Sequence, residues 1–217
     1  MTVPRRVGIL ISGRGSNMKA LIEAAAKPGY PARIVTVLSN RADAAGLAVA
    51  RSAGIGTLVL PHKDYPDRAA FDAALDDALH AEKVEVVCLA GFMRLFTADF
   101  VERWRGKMLN IHPSLLPSFP GLHPQQQALD AGARFSGCTV HFVTPVMDSG
   151  PIVAQAAVPV HPGDTAETLE ARILAAEHRL YPMALSLVAA GKARMVGERT
   201  VLDGTTALET AAFNPIA

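Results

Sequence analysis

The feature that most limits how this chain can fold is an alternation of short apolar runs with helical repeats. Nearly continuous apolar runs are typical of strands that are covered on both faces of a parallel sheet. Three of them stand at residues 6–12, 33–39 and 84–90. Residues 67–80, between the second and third runs, space Phe71 and Leu75 on one face at helical period. Strand and helix in alternation predict an open α/β sheet with right-handed crossovers.

Two further segments complete the parallel part of this pattern. Residues 42–54 are rich in alanine and close on Gly54, which suits the position after a helix C-terminus. Residues 108–112 form another short strand, which Pro113 ends. Both segments extend the same strand–helix alternation toward the middle of the chain.

The second half of the chain predicts an antiparallel extension. Residues 138–144 and 151–160 have the composition of strands, and the short loop between them allows antiparallel pairing. Residues 193–204 resemble a small hairpin or a strand added to the sheet. We therefore expect a single domain over residues 1–217. Its fold class is α/β: an open, mostly parallel Rossmann-like sheet with helices on both faces and an antiparallel extension.

A long helical pattern covers residues 164–191. Asp164 can cap its start, and Glu167, three residues later, fits the acidic position of a capping box. Pro182 lies inside the pattern and should kink or split the helix, because proline removes a backbone donor.

Charge and cysteine content limit the classes of partner. The net charge of +1 argues against a broad electrostatic surface for nucleic acid or for an anionic membrane. Cys88 and Cys138 form no CxxC pair, and a disulfide framework is not expected. No apolar run has the length of a membrane span, and the N-terminal run is too short for a signal peptide. These features indicate a cytoplasmic protein without nucleic-acid or membrane partners.

The segment SGRGSN at residues 12–17 follows the first strand and opens a helix. Gly13 and Gly15 permit tight turns, Ser16 or Asn17 can cap the helix, and the free N–H groups then form an anion site. A dinucleotide fingerprint would need a third glycine where Met18 stands, and no Walker motif is present. The loop therefore suits a single phosphate monoester; the alternative is a plain strand–helix turn.

Two polar side chains occupy the strand at residues 108–112. Strand side chains alternate, so Asn110 and His112 share one face and Ile111 takes the other. We expect Ile111 to enter the core while the polar pair faces a crevice. The alternative is a strand end whose polar groups satisfy the backbone of the following loop.

An amide and an imidazole on one face suit acyl-transfer chemistry. An Asn N–H can donate to a developing oxyanion, and a His can exchange protons near neutral pH. Asp148, in a loop bounded by Pro145 and Pro151, is the candidate that orients His112; otherwise it is an ordinary turn aspartate. No nucleophile elbow is present, and the histidine spacing fits no familiar metal site. The trio therefore predicts direct attack by a substrate group on a carbonyl carbon.

Four motifs in order resemble one enzyme family. They are SGRGSN (12–17), LAGFMRLF (89–96), NIHPSLLPSFPG (110–121) and MDSGP (147–151). As a set, and over about residues 5 to 204, they resemble the phosphoribosylglycinamide formyltransferases. The resemblance implies transfer of a formyl group from 10-formyltetrahydrofolate to glycinamide ribonucleotide in de novo purine biosynthesis. It implies no metal and no covalent intermediate, and it leaves open whether the chain is a monomer or a homodimer.

The resemblance also assigns roles to residues. Asn110, His112 and Asp148 match the catalytic trio. The family's residues that bind the ribonucleotide and its phosphate correspond to Gly15, Ser16, Asn17 and Glu177. The family's folate-binding residues correspond to Arg68, Met93, Arg94, Leu95, Phe96, Asn110, Thr144, Val146, Met147 and Asp148. One stretch departs from the family, because Pro124 and Gln125 follow His123 where basic or histidine residues are common.

Three alternatives have different sequence requirements. A 10-formyltetrahydrofolate deformylase would replace the amine by water, and it usually carries an additional N-terminal domain before the first strand. A methionyl-tRNA formyltransferase would need a further C-terminal domain and a basic surface. A non-catalytic nucleotide-binding module would have no activity to lose when His112 is changed. The first of these is the main alternative to glycinamide ribonucleotide formylation.

Overall fold

The computed structural model describes residues 3–205 together with Ala212 and Asn214. Its strands are β1 (Arg5–Ile11), β2 (Ala32–Ser39), β3 (Gly56–Val59), β4 (Val86–Leu89), β5 (Met108–His112), β6 (Phe135–Phe142), β7 (Ile152–Pro159), β8 (Ala193–Val196) and β9 (Arg199–Leu202). Its α-helices are α1 (Ser16–Ala25), α2 (Gly46–Ser52), α3 (Arg68–Ala81), α4 (Ala98–Arg103), α5 (Pro124–Asp130) and α6 (Ala166–Ala189).

Seven strands form one sheet in the order β3-β2-β1-β4-β5-β6-β7. The first five are mutually parallel, and β6 and β7 add antiparallel pairs at one side. The expected α/β fold with an antiparallel extension is confirmed, as is the small hairpin, which β8 and β9 form. Because β1 to β5 run in one direction, their carboxyl ends and the loops that follow meet along one edge.

Two hydrophobic cores lie on opposite faces of this sheet. Ile9 and Leu109 pack into the core that α1, α2 and α6 cover. Leu10 and Met108, the adjacent residues in each strand, pack into the core beneath α3 and α4. Tyr181 of α6 joins the helix to the sheet, since its hydroxyl donates to backbone carbonyls of both β4 and β5 at 3.1 Å. Side chains of β5 are therefore divided between two layers.

The start of α6 differs from expectation. Thr165 is the N-cap and exchanges reciprocal bonds with Thr168, so the predicted Asp164–Glu167 capping box is wrong. Asp164 instead pairs with Arg172 at 2.7 Å, and that guanidinium holds the pKa of the carboxyl well below its usual range. The bidentate partner explains why Asp164 lies one position outside the cap.

Pro182 does not split α6, which continues from Ala166 to Ala189. Tyr181, Ala184 and Leu185 flank the proline and are fully buried. Burial of large apolar side chains contributes about 1.5–3 kcal/mol each, against roughly 3 kcal/mol for an interior proline. Packing on the sheet therefore offsets the lost backbone hydrogen bond.

None of the helices between residues 3 and 205 combines the length and the apolar character that a bilayer-spanning helix requires.

Candidate active site

The loop between β1 and α1 is shaped by two glycines. Gly15 has φ +74°, and a Cβ there would lie 2.9 Å from the Cα of Gly46. Gly46 also donates its N–H to the carbonyl of Gly13 at 3.0 Å, so the start of α2 supports the loop. A side chain at position 15 would meet this backbone and also require a left-handed conformation.

The helix that follows the loop has no side-chain cap. Gly15 is the N-cap residue, and the prediction that Ser16 or Asn17 caps α1 is wrong. Lys19 makes the first backbone bond of the helix, to the Gly15 carbonyl at 2.9 Å. The N–H groups of residues 16–18 precede that bond and point out of the helix end, as an anion site requires.

A cavity of about 590 Å³ adjoins this loop. It lies at the carboxyl edge of the sheet, the usual ligand position in open α/β folds. Its lining comes from five strand ends and from α6: Ser12, Gly13, Arg14, Gly15, Ser16, Asn17, Asn40, Arg41, His62, Ala90, Gly91, Met93, Arg94, Ile111, Pro113, Glu170, Leu174 and Glu177. The predicted phosphate loop and the predicted glycinamide residue Glu177 therefore share one cavity.

Glu177 is a buried carboxylate on α6. It accepts a 2.7 Å hydrogen bond from Nδ2 of Asn17, which links α6 to the first turn of α1. Burial raises the pKa of Glu177, the charge of Glu170 adds to that rise, and the Asn17 bond offsets part of it. An acceptor of this kind fits an amine or hydroxyl donor on a bound ligand.

Asn110 and His112 lie on the same face of β5, as predicted. His112 is 6% exposed. Its Nε2 donates to the carbonyl of Phe119 at 3.0 Å, and its Nδ1 lies 3.4 Å from Oδ2 of Asp148. The ring is thus held between the proline-rich loop after β5 and the loop after β6.

Asp148 reaches this face because its loop folds back over the sheet. Asp148 itself has φ +53°, and Oδ2 accepts from the N–H of Gly121 at 2.9 Å. A positive φ at a residue other than glycine carries strain, which the surrounding contacts must offset. The structure therefore brings the three predicted catalytic residues together.

His141 was not predicted as part of this cluster. It lies directly opposite Asn110 in the β5–β6 pair, and its Nε2 is 3.2 Å from Nδ2 of Asn110 and 3.8 Å from Asp148. Its Nδ1 donates to the carbonyl of Phe142 at 3.0 Å, so Nε2 is left as the acceptor that orients the Asn110 amide. Burial lowers the pKa of His141, which favours this neutral form.

The orientation of β5 relative to the cavity differs from expectation. Ile111 and Pro113 line the glycine-loop cavity, whereas Asn110 and His112 lie on the other face of the strand. Ile111 is also part of the core on the α6 side. It therefore lies between the glycine-loop cavity and the face that carries Asn110 and His112. The polar pair adjoins the glycine-loop cavity at the end of β5 and does not line it.

Residues 93–96 form an irregular segment after β4. Met93 and Leu95 are exposed, whereas Phe96 stacks between Phe92 and Phe100 with centroids 5.3 and 4.7 Å apart. Arg94 lines the glycine-loop cavity together with Met93. The aromatic stack fixes one side of the segment and leaves two large apolar side chains open to a ligand.

The remaining predicted folate residues lie in two places. Val146 and Met147 are exposed in the loop that carries Asp148, and Thr144 bonds within that loop through Ser149. Arg68 begins α3 with an exposed side chain. Their contacts with folate stay predictions.

The departure at Pro124 has a structural explanation. Pro124 is the first residue of α5, a helix that the sequence pattern did not predict, and His123 precedes it with φ +56°. Proline is favoured at this position because its missing N–H has no helical partner there.

Within the described ranges, no three His, Cys, Asp or Glu residues are arranged to hold a metal ion.

Sequence comparison places these features in a family. A model of the formyl transferase family matches residues 5–185. The chain belongs to the formyl transferase family. A phosphoribosylglycinamide formyltransferase from Escherichia coli is 44% identical over 90% of this chain and 92% of its own length. The predicted resemblance is thus confirmed at the level of the family.

Other family members differ in length. A trifunctional purine biosynthetic protein adenosine-3 from Bos taurus is 55% identical over 88% of this chain, which spans only 19% of that relative. The glycinamide ribonucleotide transformylase 1 from Symbiobacterium toebii has a TM-score of 0.89 at 50% identity, covering 92% of this chain and 94% of its own.

A formyltetrahydrofolate deformylase from Pseudomonas syringae shares the fold only. It is 24% identical with a TM-score of 0.85, and the match covers 92% of this chain and 66% of that one. The main alternative function therefore has the more distant relative.

Proposed function

We propose that the protein transfers the formyl group of 10-formyltetrahydrofolate to the amine of glycinamide ribonucleotide. The products are formylglycinamide ribonucleotide and tetrahydrofolate, and the step belongs to one-carbon metabolism in purine biosynthesis. Relatives named phosphoribosylglycinamide formyltransferase support this proposal. The folate is a co-substrate, and the chemistry needs no metal.

The observation that carries the proposal is the meeting of two different sites at the end of β5. One is the cavity with the glycine loop and Glu177, which suits a phosphate at one end and an amine at the other. The second is the cluster of Asn110, His112 and Asp148, which suits an acyl carbon. A ribonucleotide amine and a formyl group can meet only where these two adjoin.

The reaction proceeds by direct attack. The amine nitrogen bonds to the formyl carbon, and the carbonyl oxygen becomes an oxyanion. Nδ2 of Asn110 donates one hydrogen to His141 and has a second for this oxygen. The oxyanion also takes the place of the Phe119 carbonyl as acceptor for Nε2 of His112.

The intermediate then collapses. The attacking nitrogen loses a proton and the folate nitrogen gains one, after which the bond between that nitrogen and the formyl carbon breaks. Asp148, 3.4 Å from Nδ1, stabilises positive charge on the His112 ring and can accept a proton through it. Atoms and charges balance without an external acid or oxidant.

The wider assignment follows from the same proposal. We assign residues 1–217 to one formyltransferase domain of a cytoplasmic enzyme, acting as a monomer or a homodimer. Gly15, Ser16, Asn17 and Glu177 bind the ribonucleotide. The exposed apolar side chains of the 93–96 segment and of the Asp148 loop bind the folate, with Arg68 at its charged end.

Product analysis tests the proposal. Purified protein is incubated with 10-formyltetrahydrofolate alone, with glycinamide ribonucleotide, and with the ribonucleoside that lacks phosphate. We expect tetrahydrofolate release only with an amine present, and much less with the ribonucleoside. Release at the same rate without an amine would identify a deformylase, and no release under any condition would contradict formyl transfer.

A further inference from the structure

A chain of hydrogen bonds crosses the carboxyl edge of the sheet beneath the glycine-loop cavity. The backbone N–H of Met93 donates to Oγ of Ser12 at 2.9 Å. The Ser12 hydroxyl donates to Oδ1 of Asn40 at 2.6 Å. Nδ2 of Asn40 lies 3.2 Å from Nδ1 of His62. Because Oδ1 already accepts from Ser12, the amide is the donor to His62.

The order of this chain follows the order of the strands. His62 comes after β3, Asn40 after β2, Ser12 after β1 and Met93 after β4, and these four strands are neighbours in that sequence. All four residues also line the cavity. These hydrogen bonds therefore form a continuous network, which joins the residues after β3, β2 and β1 to the loop after β4.

Ser12 is the central residue of this hydrogen-bond network, because its hydroxyl takes part in two of the three bonds. It is 7% exposed and Asn40 is 5% exposed, so neither bond is readily replaced by water. Ser12 also donates its own N–H to the carbonyl of Gly91 at 3.1 Å. Loss of the hydroxyl would leave the Asn40 oxygen without a partner in a buried site and the Met93 N–H without one in a half-buried site.

The segment that Ser12 holds is the one we assign to folate. Met93 is its first residue, and Thr97 follows its last. The N–H of Thr97 donates to the buried carboxylate of Asp72 at 2.7 Å, so the segment is fixed at both ends. Ser12 therefore fixes the start of this segment, and Asp72 fixes its end.

We propose that Ser12 is a positioning residue that couples the ribonucleotide cavity to the folate-binding segment. Its side chain lies in the ribonucleotide cavity, yet it determines folate affinity, because it fixes the backbone of Met93. This coupling rests on the proposed function and goes beyond it, since the family resemblance assigns Ser12 no role.

The test compares Ser12→Ala with Ser16→Ala, a matched change in the same cavity. Steady-state kinetics give KM for each substrate, and calorimetry gives the Kd of tetrahydrofolate without any turnover. For Ser12→Ala we expect folate KM and Kd to rise about tenfold, because one buried and one half-buried group lose their partner. For Ser16→Ala we expect the tetrahydrofolate Kd to stay at the wild-type value, because no hydrogen bond among the described residues joins the Ser16 side chain to the 93–96 segment. Ser12→Thr keeps the hydroxyl and should restore most of the folate affinity.

A second variant guards against a Ser12→Ala protein that fails to fold. His62→Ala changes the half-buried far end of the chain of bonds, and we expect a folate Kd increase of about twofold to threefold. An unchanged tetrahydrofolate Kd in His62→Ala, or in Ser12→Ala where that protein folds, would overturn the coupling while leaving formyl transfer intact. A wild-type protein that binds no tetrahydrofolate would overturn both the coupling and the proposed function.

Discussion

The glycine-loop cavity and the Asn110–His112–Asp148 cluster meet at β5, yet they are built in opposite ways. The cavity is large, and its anion site uses backbone N–H groups from one short stretch of chain. The cluster is buried or half-buried and uses side chains from two segments far apart in sequence, with Asp148 held at a strained φ. Under the proposed function, the first binds the ribonucleotide before any chemistry occurs, and the second is preorganised for a reacting carbonyl.

Burial also acts on one ionisable group in each region, with opposite results. It raises the pKa of Glu177 in the cavity and lowers the pKa of His141 in the cluster. Both shifts favour the neutral side chain, because burial disfavours charge of either sign. Stability should therefore respond to pH in opposite directions in the two regions.

The largest expected effect is on turnover in the cluster. Asn110→Ala removes a donor to the developing oxyanion and should lower kcat by about 10²-fold or more. The ribonucleotide KM should change little, since Asn110 does not line the cavity. Steady-state kinetics with both substrates measure this split. A near-normal kcat would remove Asn110 from the chemistry.

The next effect is on binding in the cavity. Ser16→Asp places a carboxylate at the first residue of α1, where repulsion of a phosphate should raise the ribonucleotide KM by about tenfold to a hundredfold. The same charge favours the helix N-terminus, so Tm should not fall. Kinetics and thermal melts of one preparation separate the two. An unchanged KM would place the phosphate elsewhere.

A third variant should trade activity for stability. Glu177→Gln removes a charge that we assign to the glycinamide amine, and kcat/KM should fall about tenfold. Because folding raises this pKa, the stability from Glu177 is present below its ordinary pKa and is lost as pH rises. The variant should therefore melt higher than wild type at pH 8, with the gain vanishing near pH 4. A lower Tm at pH 8 would contradict this sign.

The same contrast explains what the sequence could predict. The glycine loop is local in sequence, so six residues were enough to predict a cavity beside it. One predicted cap residue, Asn17, bonds instead to Glu177, a partner 160 positions away in the sequence. The role of His141 depends on its register opposite Asn110, which no local pattern specifies. β3 was missed because this four-residue strand lacks a buried apolar run.

The smallest expected effect is on acid stability in the cluster. His141→Gln keeps an acceptor for Asn110 but cannot titrate. Since folding lowers the pKa of His141, the unfolded chain binds the extra proton, and wild type loses stability as pH falls below the ordinary value of 6.5. Asp148 and His112 face the same ring and are present in both proteins, so the difference between the two Tm curves isolates His141. The Tm of His141→Gln minus the Tm of wild type should increase as the pH is lowered from 7.5 to 5. Parallel curves would mean that His141 binds protons alike in the folded and the unfolded protein. Burial would then not keep the ring neutral, and at pH 5 its Nε2 could not accept the hydrogen bond that orients the Asn110 amide.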